Sequence, residues 1–172
     1  MAQDIKKIIA QEYLKCAKDP AYFMRKYCFI QHPTRGRILF NLYPFQEKAL
    51  HLFRDNQYII TLKSRQLGIS TLASAYSLWL MIFHKDKNVL ALATTQATAR
   101  NLVTKTMFMY DQLPKWIKLP ALEKNKLSLR LKNGSKITAK SSNADAARSE
   151  AVSLLLIDEA AFIDKTTLDS TS

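Results

Sequence analysis

One nine-residue stretch holds residue types that work on phosphates: Lys63-Ser64-Arg65-Gln66-Leu67-Gly68-Ile69-Ser70-Thr71. It follows an apolar run and precedes a helix-forming one, so its backbone N–H groups would converge on an anion at a helix N-terminus. Laid on the pattern GxxxxGK[ST], Gly68 and the hydroxyl of Ser70 are in place, but Lys63 occupies the first glycine position and Ile69 the lysine position. By pattern alone this is a failed match. The physical requirement is a cation near the β- and γ-phosphates and a hydroxyl on Mg²⁺, and Lys63 or Arg65 answers it from the other end of the loop. The plainer alternative is a basic surface loop ahead of a helix.

The second stretch is Leu154-Leu155-Leu156-Ile157-Asp158-Glu159-Ala160. An apolar strand that delivers two adjacent carboxylates at its C-terminal end puts Asp158 where Mg²⁺ can be held and Glu159 where it can polarise an attacking water. A DE pair after apolar residues is common by itself. The order and spacing carry more: a loop strand followed about ninety residues later by an acidic strand is the layout of a nucleotide-hydrolysing P-loop core.

Elements must position these residues. Tyr58-Ile59-Ile60-Thr61-Leu62 predicts a short buried strand ahead of the loop, and residues 71–83 predict a helix after it. NVLALA (88–93) predicts a second buried strand, 96–112 a helix, and 154–157 a third strand. Strands buried on both faces and separated by helices imply a parallel sheet in an α/β domain. Between the last helix and the third strand, LSLRLKNGSKITAKS alternates around Asn133-Gly134, a strong hairpin signal. Upstream, Ile5, Ile8, Ile9, Tyr13 and Cys16 predict an amphipathic helix over 4–17 that packs on something larger. Asp19-Pro20 caps and opens a short helix, CFIQHPTRGRILFNL reads as strand, tight connection and strand, and Tyr43-Pro44-Phe45-Gln46 opens a helix running to about Arg54. No repeat or linker marks an internal domain boundary.

The 172 residues carry 26 Lys+Arg against 14 Asp+Glu, a formal charge of +12, with 48% hydrophobic residues. That composition excludes a disordered tail, a collagen and a disulfide-framed miniprotein, and it favours polyanionic partners. Residues 115–140 hold eight Lys/Arg and one Glu, with Arg130, Lys132, Lys136, Thr138 and Lys140 alternating against Leu129, Leu131, Ile137 and Ala139. Such a face either contacts phosphates or is simply solvated. Cys16 and Cys28 match no zinc spacing, so a reduced intracellular setting is expected. The N-terminus lacks a signal-peptide core. Residues 66–83 carry no charge, but Gly68, Ser70, Thr71, Ser74 and Ser77 interrupt them, and no membrane span is expected.

Taken together, SRQLG with its hydroxyl pair, the upstream YCFIQHPTRGRI and LYPFQ, and the later KSSNADAARSEAVSLLLIDEAAFID resemble the ATPase domain of the large terminase subunit of tailed phages, of the myovirus type, from about residue 20 to Asp164. The resemblance implies a P-loop NTPase of the additional-strand class: a mainly parallel sheet flanked by helices, with an antiparallel hairpin insertion. It implies an ATPase, turning ATP and water into ADP and phosphate, that threads double-stranded DNA into a procapsid. The implied partners are the DNA, the portal, the small terminase subunit and other copies in a pentameric ring, all in the host bacterial cytoplasm. No membrane partner is implied. By position, Tyr43, Phe45 and Gln46 resemble the adenine-contacting segment. Residues Lys63, Ser64, Arg65, Gln66, Leu67, Gly68, Ile69, Ser70 and Thr71 fall on the nucleotide loop, with Ser70 and Asp158 on Mg²⁺. Arg65 resembles a cis-acting arginine finger, Glu159 the catalytic base, and Arg148 an arginine that reaches a neighbouring subunit's nucleotide. Many relatives have lysine at the Ile69 position, and Lys63 is expected to replace it.

Residues 1–172 are then expected to be the N-terminal part of a packaging ATPase domain, incomplete at the C-terminus and without the nuclease domain. In the additional-strand class a later strand lies between the loop strand and the acidic strand. Lacking it, those two should be gapped or collapsed together, and the fragment should fall short of full activity. Two rivals remain: a helicase-like DNA translocase, and a non-catalytic DNA- or portal-binding fragment that retains the motifs.

Overall fold

The computed structural model describes residues 2–141 and 151–162. In chain order the elements are α1 (Ala2–Lys18), α2 (Pro20–Tyr27), β1 (Phe29–His32), β2 (Gly36–Leu39), α3 (Pro44–Asp55), α4 (Ile69–Phe83), β3 (Asn88–Ala93), α5 (Gln96–Asp111), β4 (Ala121–Lys124), β5 (Ser128–Leu131), β6 (Lys136–Ser141) and β7 (Leu154–Ile157), closed by a 3-10 turn at Ala160–Phe162. β1 and β2 form an antiparallel pair, and the other strands form one five-stranded sheet in the order β4-β5-β6-β3-β7. Mixed α/β architecture follows, with parallel pairing confined to β6-β3-β7.

β3 organises the sheet because its apolar run has no polar face to turn toward water. From Val89 to Ala93 it is buried, and it pairs in parallel on both edges, Val89 with Ile137 and Leu154, Ala91 with Ala139 and Leu156. Helix α5 lies across β3, β5 and β6, and α4 packs beside α5. Ala99, Leu102, Val103 and Met109 of α5 join Leu72, Ala75 and Leu78 of α4 and Val89, Ala91, Ile137 and Leu129 of the sheet in one apolar core. Burial of this kind stabilises at about 25 cal/mol per Å² of apolar surface. Two hydroxyls stitch the helices inside it: Ser74 Oγ donates to Ser70 O (2.9 Å) and Leu102 O (3.2 Å), and Thr106 Oγ1 donates to Leu102 O (3.0 Å) and Ser74 O (3.3 Å).

Side-chain caps set several boundaries, as expected of Asp19-Pro20. Asp19 Oδ1 accepts from Ala21 N at 2.8 Å with Pro20 at the first helical position, and Thr95 Oγ1 accepts from Thr98 N at 3.2 Å to start α5. The Asn133-Gly134 turn does more than reverse the chain. Asn133 Nδ2 donates to Met81 O (2.8 Å) and His84 O (3.1 Å), and Ser135 Oγ donates to His84 O (2.9 Å), so the hairpin satisfies carbonyls at the end of α4. Gly134 has φ +85°, and a Cβ there would clash with Asp86 Oδ1.

Four expectations are corrected. Residues 58–62 form no strand: the run lies outside every ladder, with Ile60 99% and Leu62 102% exposed. A strand needs a neighbour to take its N–H and C=O groups, and no described strand pairs with this run, although β7 ends the sheet with one edge unpaired among the described strands. The hairpin is no insertion. Its second strand, β6, is a core strand paired with β3, and it carries β5 and the unforeseen β4 with it. The apolar stripe of α1 packs only in part, because Tyr13 and Cys16 meet the core whereas Ile5, Ile8 and Ile9 stay exposed. Finally, α4 starts at Ile69, two residues before the expected Thr71, because Gly68 in the left-handed region (φ 72°) turns the chain into the helix.

Candidate functional site

The loop of residues 63–68 is exposed and leads into α4 at the carboxyl ends of the parallel strands, where open α/β sheets place ligands. Its conformation rests on Gly68. With φ +72° any side chain there is strained, and a Cβ would lie 2.8 Å from Gln46 Nε2. Gln46 is the other half of this contact. It is 1% exposed, its Nε2 donates to Leu67 O at 3.0 Å, and its Oε1 accepts from Tyr43 N at 3.0 Å. The side chain therefore ties the start of α3 to the loop. Without a nucleotide, the amide expected at an adenine edge is enclosed and engaged at both ends. Tyr43 and Phe45 beside it are exposed and parallel, with ring centroids 5.7 Å apart at 7°. Gln66 also takes a positive φ, 65°, where a non-glycine residue is uncommon.

A side-chain hydrogen bond links the start of α4 to the acidic strand. Ser70 Oγ, in the first turn of α4, donates to Asp158 Oδ2 at 3.0 Å, joining residues 88 positions apart. Asp158 is held at the end of β7 by its own N–H, which donates to Leu92 O at 3.0 Å. Glu159 follows with φ 58° and is exposed, and its carbonyl accepts from Phe162 N at 3.0 Å. The two acidic residues thus diverge, one turned in toward Ser70 and one out to solvent.

The remaining expected site residues are placed as follows. Lys63, Ser64, Arg65 and Leu67 are exposed in the loop; Ile69, the first residue of α4, is buried; Thr71 is half-buried and lines a cavity with residues of β1 and α5. Among the described residues Lys63 and Arg65 make no hydrogen bond or ion pair. Arg148 lies outside the described residues. The arrangement also presents a residue that no motif announced. Lys105 of α5 lines the same cavity as Thr71, and Asp158 and Lys63 are its principal electrostatic neighbours. Burial pushes its ammonium below the ordinary lysine value, Lys63 pushes the same way, and Asp158 opposes. A lysine in the third turn of a helix has no sequence signature, so only packing reveals it.

Hard oxygen donors suit Mg²⁺, which takes one or two protein oxygens and completes its shell with water and phosphate. Ser70 Oγ and Asp158 Oδ2 are such a pair, already in contact, and the residues present fit the ion. Among the described residues no group of three or more His, Cys, Asp or Glu is placed to form an all-protein metal cage. Cys16 and Cys28 are buried and free, and burial raises both thiols, Cys16 to about 12. Nor is any described helix long and apolar enough to cross a membrane.

Sheet order and loop-to-carboxylate contact together define a mixed α/β protein whose polar chemistry gathers at the ends of parallel strands. Residues 60–170 match the family described as terminase large subunit, T4-like virus type, N-terminal. The chain belongs to that family. A structure titled as the crystal structure of the HK97 bacteriophage large terminase shares the fold, with a TM-score of 0.70 at 16% identity over 90% of this chain. The chain spans 34% of the length of that structure.

Proposed function

We propose that the chain binds ATP with Mg²⁺ in the manner of a P-loop NTPase of the additional-strand class, and that it is the N-terminal part of a motor ATPase that packages double-stranded phage DNA. The observation that carries this is the Ser70–Asp158 hydrogen bond, which joins the hydroxyl of the loop to the first carboxylate of the acidic strand. Ser70 and Asp158 would hold Mg²⁺, which supplies charge neutralisation at the phosphates when bound. The α4 N-terminus and the backbone of residues 63–68 offer N–H groups to the phosphates. Lys63 supplies the cation missing at Ile69, and Arg65 offers a second positive charge from the exposed turn. The stacked pair Tyr43 and Phe45 provides an aromatic surface for the base. Glu159, exposed and turned away from Ser70, is the base that orients the attacking water.

In the whole motor, by family resemblance, the portal, the small subunit, DNA and a ring of copies are the partners, with Arg148 directed to a neighbour's nucleotide, in the bacterial host's cytoplasm. MgATP titration and phosphate release test the core of the reading. Binding is expected in the 172-residue chain and should disappear in Lys63→Ala. Turnover, where present, should vanish in Glu159→Gln with binding retained. Ile69→Lys in the Lys63→Ala background should restore binding. Absence of MgATP binding by the unaltered chain at millimolar nucleotide would overturn the proposal.

A second reading has one observation in its favour. Among the described residues the run ahead of the loop joins no strand, and the anchors of the loop are α4 and Gln46. A non-catalytic module that contacts DNA through its basic surface would show salt-sensitive DNA binding without turnover. Arg100, Lys124 and Lys126 share a surface groove between α5 and the β4–β5 turn that suits such contacts.

A further inference from the structure

A cavity of about 260 Å³ opens between β1, the first turn of α4 and α5, lined by Gln31, Thr71, Thr104, Lys105 and the apolar Ile30 and Phe108. Lys105 is its one cationic lining residue. It is half-buried and, among the described residues, makes no hydrogen bond or ion pair, although Asp158 and Lys63 lie within electrostatic reach. A partly desolvated ammonium with no direct partner is costly unless an anion comes to it. Among the described residues, the balance acting at Lys105 is two ammoniums, Lys63 and Lys105 itself, against the carboxylate of Asp158, which already accepts from Ser70. The surplus is positive, and it sits beside the second hydroxyl of the loop.

We propose that Lys105 supplies a second ammonium to the polyphosphate of a bound nucleotide, reaching it from α5 past Thr71 while Lys63 approaches from the start of the loop. The inference rests on the reading of residues 63–71 as a nucleotide loop and adds to it a residue from a different element. Two cations on opposite sides of the phosphates replace the single lysine that the usual pattern seats at the Ile69 position. Lys105 binds phosphate oxygens through its Nζ hydrogens and takes no part in bond making. Its burial also raises the specificity of the contact, because a hydrated monovalent anion gains less from a partly dry ammonium than a polyanion does.

The test titrates MgATP, and separately inorganic tripolyphosphate, into the 172-residue chain and into Lys105→Met, Lys105→Arg and, as a charge-matched control on the far exposed face of α1, Lys7→Met. Losing a charge-assisted contact predicts about tenfold weaker binding of both probes in Lys105→Met. Recovery of most of the affinity in Lys105→Arg, wild-type behaviour of Lys7→Met, and melting temperatures that do not fall complete the expected result. Equal binding by Lys105→Met and the unaltered chain would overturn the inference and leave the nucleotide loop standing. Weakening in both Lys105 variants with a matching fall in melting temperature would overturn it too, assigning Lys105 a packing role. No binding of either probe by the unaltered chain removes the nucleotide loop and the inference together.

Discussion

Two apolar runs of similar composition meet opposite fates in this chain. NVLALA becomes β3, buried and paired on both edges, whereas YIITL at 58–62 remains unpaired with Ile60 and Leu62 open to water. Both sequences favour a strand by residue type, and both are bounded by polar residues. The difference is in what lies beside them. β3 has β6 and β7 in register and α5 across it, while no described strand pairs with 58–62. Strand propensity measures fit to a half-buried pleated surface, and it produces a strand only where such a surface exists. Exposed apolar runs of this kind also invite association with other chains.

The comparison can be broken most forcefully from the β3 side. Leu92 is 1% exposed, and Leu92→Ala should cost about 2–5 kcal/mol of stability in chemical denaturation. A loss no larger than that of a surface change would mean that β3 is not the organiser of the sheet. Next is the loop between the two regions. Gly68→Ala should destabilise by about 1–3 kcal/mol through its positive φ and its approach to Gln46. In a double-mutant cycle with Gln46→Ala the two losses should be less than additive, since the clash disappears with the amide. Ser70→Ala removes the side-chain hydrogen bond from α4 to the end of β7. It should cost about 0.5–1.5 kcal/mol by thermal denaturation and abolish the Mg²⁺ dependence of any nucleotide binding. The smallest effect sharpens the contrast: Ile60→Ala should change stability by about 0.5 kcal/mol or less. The double change Ile60→Asp with Leu62→Asp should leave melting untouched and reduce self-association in light scattering. A large loss of stability in either 58–62 variant would show that the run is packed after all.

Much of this arrangement is legible from residue order. β3 and β7 begin and end where their apolar runs do, and the hairpin turns at Asn133-Gly134. The alternation of 129–139 sorts as read, with Leu129, Leu131, Ile137 and Ala139 inside. Other parts have no local signature. β4 is ALEK, four exposed residues that are strand only because β5 pairs with them. Gln46 reads as a base-contacting amide, and nothing local announces that it also braces α3 against the loop through the backbone of Leu67 and Tyr43. Lys105 is one helix lysine among several until α4 and β7 bring Asp158 and Lys63 into its field.

By itself the sequence determined the periodic elements, the turn residues and the two motifs that place this chain among the large terminase subunits, because propensity, capping and spacing act over a few residues at a time. Tertiary structure alone decided which apolar run would be a strand, which polar side chains would be enclosed and which cations would face the acidic strand. Those outcomes depend on edges, burial and electrostatic neighbours supplied from tens of residues away, and no local pattern encodes them.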